Sequence, residues 1–143
     1  MTESYEEVLA RKKVLVFTPG GTSMQPLLKH HENPVVLVPV DTPLRKLDVI
    51  LYKRAGGQYV LHRIIKVTKK GYVCCGDNQT TPEKGVMPDM VIARMAGFYK
   101  DGEYIDAQSA EMKKYARRRV WSIPLRALKI RLRSVTGKRN TQK

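Results

Sequence analysis

The chain has 143 residues, a net charge of +14 and 42% hydrophobic residues. That length suits one domain with a real core, and that hydrophobic share excludes wholesale disorder. No apolar run approaches the ~20 residues needed to span a bilayer, and the only cysteines, adjacent Cys74 and Cys75, suit neither a structural disulfide nor a zinc site.

In chain order, Met1 to Ala10 carries three glutamates and no apolar core, so no secretory signal is expected there. Residues 3–12 read as a short helix with acids early and bases late, as the helix dipole favours. Val14 to Phe17 is a strand stopped by Pro19-Gly20-Gly21, and Val35 to Val40 is a second. Asp48 to Lys53 is a third, turning at Ala55-Gly56-Gly57 into a fourth, Gln58 to Val67. Lys69-Lys70-Gly71 leads to a fifth, Tyr72 to Cys75, broken by Gly76-Asp77-Asn78. Val91 to Tyr99 is a sixth, followed by a hairpin at Lys100 to Glu103 into Tyr104-Ile105. Short strands at close spacing predict a mainly β fold, a coiled sheet or barrel rather than βαβ units.

From Ser109 the pattern becomes helical, so residues 1–108 form the expected β domain and 109–143 a basic helical tail. Residues 111–143 hold twelve Lys or Arg against one acid, Glu111, which places +11 of the net charge there. Ser122 is a candidate cap for a second helix with Pro124 in its first turn. Trp121, Leu125, Leu128, Leu132 and Val135 share one face, with Arg126, Lys129, Arg131 and Arg133 elsewhere. Ile130 falls on the polar side and interrupts the pattern. Such a helix reads either as a membrane-surface element or as an apolar face packed on the β domain. Nucleic acid is a poor fit, because only Tyr115 and Trp121 accompany the bases. The expected location is cytoplasmic, with peripheral contact at the inner face of a membrane as one reading of the tail.

The segment Thr18-Pro19-Gly20-Gly21-Thr22-Ser23-Met24-Gln25-Pro26 puts one serine directly after a glycine-rich turn. Glycine permits close backbone approach, and Pro26 restrains the chain beyond the serine. Gly21, Thr22, Met24 and Pro26 are the candidate substrate and oxyanion contacts around a Ser23 nucleophile. From these residues alone, a plain loop serine is the competing reading.

Ser23-Met24-Gln25-Pro26 resembles the nucleophile box of the type I signal peptidase and LexA-like serine peptidase superfamily. Three further stretches resemble that family's boxes, in its order. Leu47-Asp48-Val49-Ile50-Leu51-Tyr52-Lys53 is similar to the Gly-Asp-hydrophobic strand, with Leu47 where glycine is usual. Tyr59 to Val67 is similar to the strand bearing the general base. Gly76-Asp77-Asn78-Gln79 is similar to the Gly-Asp-Asn box. The resemblance covers residues 14–99, with Asp48, Arg63, Gly76 and Asn78 in structural box positions.

The base position carries His62 followed by Arg63, which resembles the branch of endoplasmic-reticulum and archaeal signal peptidases rather than the lysine branch. Histidine titrates near neutrality and accepts a serine proton without first needing a depressed pKa. His30 and His31 match no family role and read as loop residues. In the His-type branch a second aspartate follows the Gly-Asp-Asn box, where this chain has Thr81-Pro82-Glu83. Asp77 orients His62, Glu83 does so instead, or the site works as a dyad, and the residues leave all three open; Asp77 also reads as a structural residue that ties a turn through its side chain. With 22 residues ahead of Ser23, neither the family's membrane anchor nor a DNA-binding domain is expected.

The resemblance thus implies a serine endopeptidase acting on a peptide or precursor protein through an acyl-enzyme, with no metal or cofactor. Two other readings stand beside it. One is a non-catalytic peptide-binding module of the same fold, and the other a membrane-surface binder acting through its tail.

Overall fold

A computed structural model of the chain describes residues 3–140, and side chains from 3 to 135. The elements run α1 (Tyr5–Lys12), β1 (Leu15–Phe17), β2 (Val35–Val38), β3 (Val49–Lys53), β4 (Tyr59–Val67), β5 (Tyr72–Cys75), β6 (Glu83–Val86), β7 (Val91–Lys100), β8 (Glu103–Asp106), α2 (Ala110–Trp121) and α3 (Ile123–Asn140), with a 3-10 turn at Pro88–Met90. The last three residues of the expected basic tail, and the side chains of 136–140, lie outside the described residues, as do Met1 and Thr2.

Local chemistry sets the start of the chain. Ser4 accepts the Glu7 N–H while the Glu7 carboxylate accepts the Ser4 N–H, a reciprocal capping box. Lys13, in the left-handed region, closes α1 by donating to the Leu9 carbonyl. Leu9 is the helix's buried residue, and through it α1 joins the core.

All eight strands form one antiparallel sheet in the order β1-β2-β7-β3-β4-β5-β6, with β8 also on β7. The mainly β expectation therefore stands. β7 is the spine, pairing β2, β3 and β8 along its ten residues. Register shifts at Val36/Leu37, Leu51/Tyr52, Ile64/Lys66 and Tyr72/Cys74 bend the strands, as bulges do. The sheet buries apolar residues on both faces. One cluster gathers Leu37, Leu51, Met95 and Phe98, and the other Ile50, Tyr52, Ile64 and Cys74.

Three differences from the sequence reading have physical causes. β2 stops at Val38, ahead of Pro39, which has no N–H to give a ladder. β6 was not expected, because Glu83-Lys84-Gly85-Val86 lacks apolar alternation; its pairing with β5 forms it, with Gly85 at φ +78°. Ser122 does not cap α3 in the usual way. Its hydroxyl donates to the Arg119 carbonyl and accepts from Arg126 Nε, at the junction where Pro124 prevents one continuous helix.

The helical region begins where expected, with Ser109 accepting the Met112 N–H as the α2 cap. α2 is fastened to the β domain: Ala116 is buried, and Met112 packs on the first core cluster.

Candidate functional site

β4 sends neighbouring side chains to opposite faces. His62 pairs in register with Ile50 and lies on the face of Val60 and Ile64, while Arg63 emerges on the other side. The two residues therefore serve different structures.

On the first side, His62 Nε2 lies 3.2 Å from Ser23 Oγ. Ser23 is half-buried and His62 is buried. The loop carrying Ser23 is held from behind by Gly76-Asp77-Asn78. The Asn78 N–H donates to the Ser23 carbonyl at 2.8 Å, and Asn78 Nδ2 donates to the Thr22 carbonyl at 3.1 Å. The Asp77 N–H points at the sulfur of Met24, which is buried in the core. Gly76 sits where loop and strand come closest. A Cβ there would stand 2.5 Å from the Ser23 carbonyl oxygen and 3.1 Å from His62 Nε2. Glycine at this position is a requirement of space.

On the second side, Arg63 makes a two-pronged ion pair with Asp77, Nε to Oδ1 at 2.8 Å and Nη2 to Oδ2 at 2.9 Å. Tyr115 of α2 also donates to Asp77 Oδ2 at 2.9 Å, and Arg119 donates twice to the Asp77 carbonyl. Arg63 also donates to the carbonyl of Leu47. Leu47 has φ +87°, in the left-handed region, where glycine would sit without strain. Asp48 fixes the same corner, accepting the Arg45 N–H and the Gln108 amide.

Neither candidate carboxylate orients His62 in this structure. Nδ1 of His62 is buried and has no hydrogen-bond partner among the described residues. Both Asp77 oxygens are taken by Arg63 and Tyr115. Glu83 accepts from Tyr52 at 2.7 Å and from Arg54 at 2.7 and 3.0 Å. Of the three arrangements left open by the sequence, the geometry is that of a Ser–His dyad. Burial pushes the His62 pKa below its ordinary 6.5, and the Arg54 charge adds to that; Glu83 and Asp77 pull the other way.

Two clefts meet at His62, and Ser23 lines the first of them. One, of about 390 Å³, is walled by Tyr5, Phe17 and Tyr59. Tyr5 stacks on Phe17 and meets Tyr59 edge-on, with centroids 5.1 and 4.8 Å apart. The other, of about 480 Å³, runs past Asn78 and Thr80 to Glu83 and Ile130 of α3. Arg54, His62 and Gln79 line both.

Of the four predicted substrate and oxyanion contacts, Gly21 and Met24 line the first cleft, whereas Thr22 and Pro26 line neither. Pro26, after a cis peptide bond, is exposed on another side of the loop. The Gly21 N–H is engaged, donating to His30 Nδ1 at 2.6 Å. The His30 ring packs tilted against that of His31, with centroids 3.8 Å apart, and the His31 N–H donates to the Pro19 carbonyl, so both brace the loop that precedes Ser23. No spacing rule marks them in the sequence. Tyr115, Arg119 and Arg126 are equally hidden in the sequence, where Tyr115 reads only as an aromatic among the tail's bases and the two arginines as bases of that tail. Arg126 donates to the Gln79 carbonyl at 3.0 Å and so ties α3 to the box. Cys74 and Cys75 are both free and buried; burial pushes the Cys74 thiol up to about 12, which keeps it out of nucleophilic chemistry. No group of His, Cys, Asp and Glu among the described residues could hold a metal ion. No protein-family model matches the chain, and no curated protein matches it significantly.

Proposed function

We propose that the chain is a serine endopeptidase of the signal-peptidase type, working through a Ser23–His62 dyad on an extended peptide or precursor protein. The observation that carries this reading is the 3.2 Å contact between Ser23 Oγ and His62 Nε2 in the wall of the first cleft. With the His62 proton on Nδ1, Nε2 accepts the Ser23 proton as Oγ attacks the scissile carbonyl carbon. The imidazolium then protonates the leaving amine, and the acyl-enzyme remains. Water, deprotonated by the same nitrogen, releases the carboxylic acid and regenerates Ser23. The Ser23 N–H makes no hydrogen bond to the described chain and is the donor for the oxyanion. Its test is a peptide-mixture digest with new termini mapped by mass spectrometry. Cleavages made by the wild type and absent with Ser23→Ala support the reading; identical digests contradict it.

The lowered His62 pKa sets the pH dependence. His62 must be neutral to accept a proton, so acylation is expected to be level through neutrality and to fall only below pH 6.5. Arg54→Gln removes a nearby positive charge and also frees Glu83, and both changes raise the His62 pKa. The acid limb of the labelling-rate profile should therefore move to higher pH in that variant. An unmoved or lowered limb would show that Arg54 does not act on the base.

A further inference from the structure

The outward side of the C-terminal helices has no role in the site described above. Trp121 is 88% exposed, Leu125 57%, Leu128 51% and Val135 50%. Leu125, Leu128 and Val135, three and seven residues apart, share one side of α3, and Trp121 ends α2 two residues ahead of it. The other side of α3 is the one turned to the protein, where Arg126 reaches the Gln79 carbonyl and Ile130 lines the cleft beside His62. Ile130, which interrupts the amphipathic pattern in the sequence, lies on this cleft side and is itself 54% exposed, so it remains an apolar residue outside the stripe.

The charges around this stripe are of one sign. From Met112 to Val135 the sequence has no Asp or Glu. Arg117, Arg118, Lys129, Arg131 and Arg133 are all exposed. A second copy of the helix would set these cations against their equals, which disfavours self-association through this face. No helix of the described residues is long and apolar enough to cross a membrane. Exposed Trp and Leu flanked only by cations match a helix lying in the headgroup layer of an anionic bilayer.

We propose that α3, together with the Trp121 end of α2, docks the protein in the plane of an anionic lipid surface. The apolar stripe enters the boundary between headgroups and acyl chains, and the flanking Lys and Arg contact lipid phosphates and carboxylates. Because Arg126 and Ile130 join α3 to the rim of the second cleft, docking sets that cleft beside the bilayer. This holds whether or not Ser23 is a nucleophile.

The test is co-sedimentation of the full chain with phosphatidylcholine vesicles, with and without phosphatidylserine. Trp121 is the only tryptophan, so its fluorescence reports insertion directly. Binding to the phosphatidylserine vesicles with a blue shift, weakened by salt, is the expected result. The double variant Leu125→Asp, Leu128→Asp should bind at least ~10-fold more weakly while its circular dichroism is unchanged. Absence of binding to both vesicles overturns the proposal. So does undiminished binding by the folded double variant, which would mean charge alone acts. A blue shift that grows with protein concentration without vesicles would assign the face to a second copy. Capture by RNA but not by vesicles would assign it to nucleic acid.

Discussion

Asp77→Ala is expected to destabilise the fold by about 3–5 kcal/mol, because it strands a buried charge. Asp77 is 3% exposed and Arg63 5%. The loss arises less from the missing attraction than from a guanidinium left in a dry site without its carboxylate. Tyr115 loses its acceptor at the same time, which loosens α2. Urea denaturation followed by circular dichroism measures the effect. Exchanging both charged partners, Arg63→Met with Asp77→Leu, should recover part of the loss, since the stranded charge is then gone. If Asp77→Ala costs less than about 1 kcal/mol, the ion pair is not an organising contact of this fold.

Gly76→Ala is expected to lower acylation of Ser23 by about 100-fold or more, with little change in secondary structure. The added methyl would stand 2.5 Å from the Ser23 carbonyl oxygen, a backbone atom that cannot swing aside. The strand or the Ser23 loop must shift, and the Asn78 N–H bond to that same carbonyl is disturbed with it. A misplacement of roughly 1 Å at reacting atoms costs on the order of 100-fold. The rate of labelling by an acylating probe, measured on protein shown to be folded, decides this. A rate within about threefold of wild type would mean that the loop tolerates the shift.

Most strands were legible because β-branched and aromatic runs stand between Gly and Pro turns: Tyr72 to Cys75 is bounded as expected, and Val49 to Lys53 within one residue. β6 was not, since Glu83-Lys84-Gly85-Val86 gains strand geometry only from its neighbour. At the candidate site, Ser23 and His62 stood out only through the family resemblance, and the structure places their side chains 3.2 Å apart. The role of Asp77 was legible only in part. Consecutive residues on a strand face opposite ways, so a carboxylate paired with Arg63 is drawn away from His62. That pairing, with Tyr115 from 38 residues further along the chain, is a tertiary fact that no local pattern carries. The tail shows the same limit. Its charge and periodicity were readable, but the inward turn of Arg119 and Arg126 to backbone carbonyls of the box was not.

Labelling with a fluorescent, serine-reactive acylating probe tests the central claim most directly, comparing wild type with Ser23→Ala and His62→Ala across pH 6–9. The dyad predicts strong labelling of the wild type, none with Ser23→Ala, and a loss on the order of 1,000-fold or more with His62→Ala. Labelling of wild type that survives Ser23→Ala, or folded wild type that does not label at any pH in that range, would contradict it and leave a peptide-binding module as the reading of the same fold.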